Sequence, residues 1–139
     1  MQESKALQTR VEQILAIEHS KVVLDLSACD YLDSTFLGCI AILYRQFGQS
    51  PEPRFLVFAT RSHCQSLFGP THLDLVLTFA DSLPDTTGDY EDVVIVDNTA
   101  PSLGHHVMHC HQRLAEIDGP HQQSFARIAE RLKHELEDQ

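Results

Sequence analysis

Residues 21–38 read Lys21-Val22-Val23-Leu24-Asp25-Leu26-Ser27-Ala28-Cys29-Asp30-Tyr31-Leu32-Asp33-Ser34-Thr35-Phe36-Leu37-Gly38. The run Val22–Leu26 is short, apolar and rich in β-branched residues, which predicts a strand covered on both faces, as in a parallel sheet. Asp30 and Asp33 fall in an acidic loop. Asp33-Ser34 then stands where side-chain oxygens cap a helix, and Phe36, Leu37, Cys39, Ile40, Ile42 and Leu43 continue at helical spacing. Apolar residues surround much of this second segment, so a largely buried helix is expected from Thr35 to Phe47, with Cys39 a small core residue.

Outward from this stretch, the pattern alternates. Leu7, Val11, Ile14 and Leu15 predict an amphipathic helix over residues 4–18. Downstream, Gln49-Ser50-Pro51-Glu52-Pro53 is turn material, Phe55–Ala59 a second buried strand and Arg61–Phe68 a short helix stopped by Gly69-Pro70. Leu75–Phe79 reads as a third strand. The acidic, turn-rich residues 81–92 read as a linker, and Val93–Val96 as a weak fourth strand. Two helical patterns close the chain, one carrying Val107, Cys110, Leu114 and Ile117 and one carrying Phe125, Ile128, Ala129, Leu132 and Leu136. Gly119-Pro120 between them makes a helical hairpin. Neither helix is apolar all round, so the hairpin is expected to pack back on the core or on another copy of the chain. Helices alternating with buried strands predict an α/β fold with a mainly parallel sheet and packed helices, followed by this hairpin. The boundary is drawn between a domain over 1–98 and a C-terminal helical extension over 99–139.

Composition narrows the function classes. With 139 residues the chain is long enough to bury a core without staples. A net charge of −10 removes the basic footprint of a nucleic-acid binder, and would be repelled by an anionic membrane surface. No basic region with an apolar signal core opens the sequence, and no apolar run approaches about 18 residues. The four cysteines, Cys29, Cys39, Cys64 and Cys110, show no C-x-x-C spacing. Free thiols in a reducing cytoplasm are the expectation.

Three chemistries have candidate residues in this sequence. Ser34 as a nucleophile requires a base held by a third group, with His19 and His63 as conceivable partners, but no G-x-S-x-G elbow is present. Cys64 beside His63 is no better supported, and phosphate- or dinucleotide-binding glycine motifs are absent. Among nine histidines, His105, His106, His109 and His111 cluster with Cys110. His105 and His109, four apart on a helix, can share a metal. No matching ligand pair accompanies them, so no metal or other cofactor is expected. A serine at a helix N-terminus sits among unpaired backbone N–H groups and a positive dipole end. A phosphate added there is stabilised locally while presenting about two negative charges to a docked partner. Helix capping alone also accounts for an Asp-Ser pair at this place.

The strand, the acidic loop and Asp33-Ser34-Thr35-Phe36-Leu37-Gly38 resemble the STAS family of anti-sigma-factor antagonists, whose hallmark is Asp-Ser-x-Gly-Leu-Gly opening a helix. Asp33, Ser34, Leu37 and Gly38 match it, and the resemblance extends less specifically over residues 4–80. It implies a non-enzymatic cytoplasmic regulator that binds an anti-sigma serine/threonine kinase and is switched by phosphorylation at Ser34, with Thr35 as a second acceptor. The implied partner surface comprises Asp30, Asp33, Ser34, Thr35, Phe36, Leu37 and Gly38. The alternative is an adaptor or structural subunit of a signalling or transport complex that has lost the switch. Phe36 departs from the pattern, since the family has its first motif glycine there. The family also has one or two strands before the first helix, whereas this sequence begins at that helix. Either the start is truncated or the sheet edge is supplied otherwise, and an exposed edge makes a homodimer the expectation.

Overall fold

The computed structural model describes residues 2–83 and 100–138. The expected fourth strand at Val93–Val96, most of the acidic linker and the boundary near residue 98 lie outside them. The chain opens with α1 (Gln2–Leu15), which buries Ser4, Ala6, Val11 and Leu15, and passes into β1 (Val22–Asp25). Helix α2 (Ser34–Phe47) crosses to β2 (Phe55–Phe58), which lies parallel to β1 with Val22 opposite Phe55 and Asp25 opposite Phe58. Helix α3 (Arg61–Phe68) and a 3₁₀ turn lead to α4 (Leu73–Val76), and α5 (Ala100–Ala115) with α6 (Gln122–Glu137) forms the C-terminal hairpin. The architecture is α/β, with a parallel strand pair and packed helices.

The end of α1 comes earlier than residue 18 because the chain reverses there. His19 takes a left-handed φ of 65°, and Ser20 Oγ donates to the carbonyls of Ile14 and Ile17. Arg54, just before β2, completes the turn. Its Nη2 reaches the Leu15 and Ile17 carbonyls at 2.8 Å each and its Nε the Ser20 carbonyl at 3.0 Å. A cation fanned across the open carbonyls of a helix end is stabilised by the dipole as well as by the bonds.

Two expectations are corrected. Leu75–Phe79 does not form a strand. His72, at φ 58°, starts a fresh turn of helix that buries Leu73 and Leu77, four apart, and leaves Leu75 75% exposed. Only a single parallel bridge, Val57 with Phe79, remains of the expected pairing, held by Val57 N–H to the Thr78 carbonyl and Ala80 N–H to the Val57 carbonyl. A short apolar run is compatible with either period, and the left-handed residue before it selects the helix. The strand at Val22 is also less covered than expected: Val22, Val23 and Leu24 are half-buried, while β2 alternates between buried and half-buried residues.

The core is one cluster, formed by Val11 and Leu15 of α1, Leu37, Cys39, Ile40 and Leu43 of α2, Phe55 and Val57 of β2, Phe68 of α3, and Leu73 of α4. Cys110 and Leu114 of α5 belong to the same cluster, so the C-terminal hairpin packs back on the core. Each fully buried Leu or Phe contributes roughly 1.5–3 kcal/mol relative to its exposed state. Helix α6 packs on α5 and buries only Ala129. No helix among the described residues is long and apolar enough to cross a membrane.

Candidate functional site

Asp33 caps α2. Its backbone is extended (φ −73°, ψ 166°), and its Oδ1 accepts the Phe36 N–H at 2.7 Å. One of the open donors of the helix start is thereby satisfied, and Ser34 becomes the first helical residue. It lies beyond the C-terminal end of β1, on the crossover between two parallel strands. That end of an open α/β sheet is where ligand-facing loops collect.

The Ser34 side chain turns toward α5. Its Oγ lies 3.0 Å from His111 Nε2, and the other ring nitrogen, Nδ1, lies 2.8 Å from the Val107 carbonyl. A carbonyl only accepts, so Nδ1 carries the proton that it donates to Val107. In the neutral ring Nε2 is then an acceptor, and the serine hydroxyl donates to it. His111 is 4% exposed and its ring centroid is 5.9 Å from that of Phe125 on α6. It is held on three sides, by a carbonyl, a hydroxyl and an aromatic ring.

A stripe of α2 residues faces α5. A Cβ on Gly38 would lie 2.6 Å from the Cys110 Cβ and nearer still to the Cys110 carbonyl oxygen, so the two helices touch where α2 has no side chain. One turn on, Ala41 shares a cleft of about 390 Å³ with Arg113 and Ile117. At the far end Arg45 Nη1 and Arg113 Nη1 both donate to Glu116 Oε2, at 2.9 and 2.6 Å. Ser34, Gly38, Ala41 and Arg45 repeat at helical spacing, which makes this face the seat of α5.

A second buried polar contact joins α5 to α1. His106 Nε2 is 2.9 Å from Ser4 Oγ and 3.7 Å from Cys110 Sγ, and His106 is 8% exposed. Burial, helped by the charge of Lys5, holds the imidazole down at about 4. Burial likewise pushes the Cys110 thiol up to about 12 and raises that of Cys39, whose Sγ donates to the Ser4 carbonyl at 3.3 Å. These thiols are shielded rather than activated.

Of the residues expected to meet a partner, Asp30 is exposed, Asp33, Ser34 and Phe36 are half-buried, and Thr35, Leu37 and Gly38 are buried. Tyr31, which sequence reasoning passed over, stands 79% exposed in the same loop. Neither histidine considered as a base lies on Ser34. His19 is exposed beside Glu18, and His63 Nε2 donates to the Cys29 carbonyl, tying the acidic loop to α3. His111 takes the place instead. His105 and His109 stand exposed with rings 6.4 Å apart, and no group of three metal-ligating side chains occurs among the described residues. The signal for His106 and His111 was their position flanking the inner stripe Val107, Cys110, Leu114.

Serine, imidazole and carbonyl are ordered as in an activated nucleophile. Ser34 is not among the residues that line three clefts of about 390, 430 and 230 Å³ bordered by α5. No family model, curated protein or solved structure matches the chain.

Proposed function

We propose that this chain is a non-enzymatic regulatory binding protein of the anti-sigma-factor antagonist type, acting in the cytoplasm. In this reading it engages an anti-sigma serine/threonine kinase, and phosphorylation at Ser34 weakens that engagement. The observation that carries the reading is the unit β1–acidic loop–Asp33-capped α2. It sets a serine as the first residue of a helix at the C-terminal end of a parallel strand, with Asp33-Ser34 and Leu37-Gly38 in the motif's register. A phosphoryl group there would meet the positive end of the α2 dipole and change the local charge by about two. The exposed Asp30 and Tyr31 beside it suit a docking rim, since tyrosine buries a large surface with few rotatable bonds.

A second reading, a STAS-fold adaptor without the switch, is favoured by the hydrogen bond that occupies the Ser34 hydroxyl and by Phe36 in place of a motif glycine. One experiment separates them. The chain is incubated with ATP and the anti-sigma kinases of its source organism, Ser34 is mapped by mass spectrometry, and affinities are measured for wild type, Ser34→Ala and Ser34→Asp. The switch reading expects phosphate at Ser34, retained binding by Ser34→Ala and lost binding by Ser34→Asp. Binding by both variants with no phosphate at Ser34 would leave the adaptor.

A further inference from the structure

The cleft of about 390 Å³ near the C-terminal end of α2 has no part in the Ser34 reading. Three elements wall it: α2 with Tyr44, α4 with Leu73, Leu75 and Val76, and α5 with Ile117. Its volume falls in the range of small-molecule sites, which are mostly apolar with a few polar groups that fix orientation. Two of its walls are firmly set. The Tyr44 ring lies over Gly48, where any Cβ would collide with it, and Leu73 is fully buried. Leu75 and Val76, by contrast, are 75% and 42% exposed, so the cleft has neighbouring apolar side chains left in water. Covering them would be favourable.

The ionisable groups on the lining favour a cation. Asp118 is exposed just beyond α5, and its carboxylate has no hydrogen bond or ion pair among the described residues. Glu116 uses Oε2 alone to accept from Arg45 and Arg113, which leaves Oε1 open. His72 donates from Nδ1 to the Asp118 carbonyl at 3.2 Å, so in the neutral ring Nε2 is a further acceptor. Arg113, the guanidinium on this lining, is turned inward: its side chain is 17% exposed, Nη1 is taken by Glu116 and Nε is buried. Arg45 lies outside the lining and is 60% exposed, so water and salt screen its charge. An anionic head would meet the unpaired Asp118 carboxylate, whereas a cationic head would be paired by it. The net charge of −10 draws cations to the chain in the same sense.

We propose that this cleft binds a small amphipathic amine, its apolar body against Leu73, Leu75 and Val76 and its ammonium group at Asp118. The site goes beyond the kinase-binding reading and does not depend on it, since Ser34 is not among the lining residues.

The test is heteronuclear NMR on the isotope-labelled full chain, titrated with three probes of similar shape: phenethylamine, phenethyl alcohol and hydrocinnamate. Phenethylamine is expected to shift the lining residues of α4 and α5 in a saturable way and to bind at least about threefold tighter than the alcohol, with the acid weakest. Asp118→Asn should bring the amine down to the affinity of the alcohol, while the alcohol stays within about twofold of its wild-type value. A merely structural role for Asp118 would weaken both alike. Leu75→Gln, at an exposed position, should weaken the amine and the alcohol together. Ser34→Ala should leave the order of the probes unchanged, which keeps a failure of the cleft separate from a failure of the phosphorylation switch. Binding of the acid as tight as that of the amine overturns the proposal. So does an equal loss of amine and alcohol in Asp118→Asn, or the lack of a saturable shift at the cleft with every probe.

Discussion

Acidification should weaken this fold through one histidine. His106 sits at the α1–α5 contact with its imidazole at about 4, against an ordinary value of 6.5. In the unfolded chain it takes up a proton as pH falls through 6.5, whereas the folded chain resists until about 4. The unfolded state therefore binds more protons across this window, and stability declines as pH falls from 6.5 towards 4. The difference corresponds to about 1 kcal/mol lost at pH 5.5 and about 2–3 kcal/mol at pH 4.5. Glu3 and Asp25, held below their ordinary 4.5 and 3.8 by hydrogen bonds, lose their contribution only at lower pH. The assay is urea unfolding at pH 7.5 and 5.5 for wild type and His106→Gln, whose neutral amide can still reach Ser4. Wild type is expected to lose about 1 kcal/mol more than the variant between the two pH values. Parallel pH dependence of the two proteins would refute the buried, neutral His106.

Two further outcomes follow from the packing. Arg54→Ala removes four charge-assisted bonds from the turn that follows α1 and should cost about 2–3 kcal/mol in urea or thermal unfolding. Arg54→Lys, a single point donor in place of a fork, should recover less than half of it, and a loss below about 0.5 kcal/mol for Arg54→Ala would contradict the role given to this side chain. Native alkylation with iodoacetamide, mapped by mass spectrometry, should modify the half-buried Cys29 and Cys64 well ahead of the buried Cys39 and Cys110. Modification of Cys39 or Cys110 at the rate of Cys29 would contradict the burial of these two thiols.

Elements whose cues are local were legible from the sequence. The β-branched run at Val22, the Asp33 cap and the apolar surface of Leu37, Ile40 and Leu43 each announce themselves within a few residues, and β1, α2 and β2 form where those cues stand. At Leu75–Phe79 the local cues are ambiguous. The apolar run suits two periods, and the choice falls to the left-handed φ of His72, which no spacing rule reveals. The contacts that make the candidate site are of a third kind. Ser34 and His111 are 77 residues apart and Ser4 and His106 are 102 apart, so each pairing depends on how the hairpin lies on α2. Periodicity says that Val107, Cys110 and Leu114 face inward, but not which helix they face. Gly38 shows what this difference means for function. As part of a motif it reads as a position on a partner surface, yet in the folded chain it is the point where α5 touches α2. In the folded chain the glycine therefore serves packing, and it is the exposed Asp30 and Tyr31 of the preceding loop that remain open to a partner.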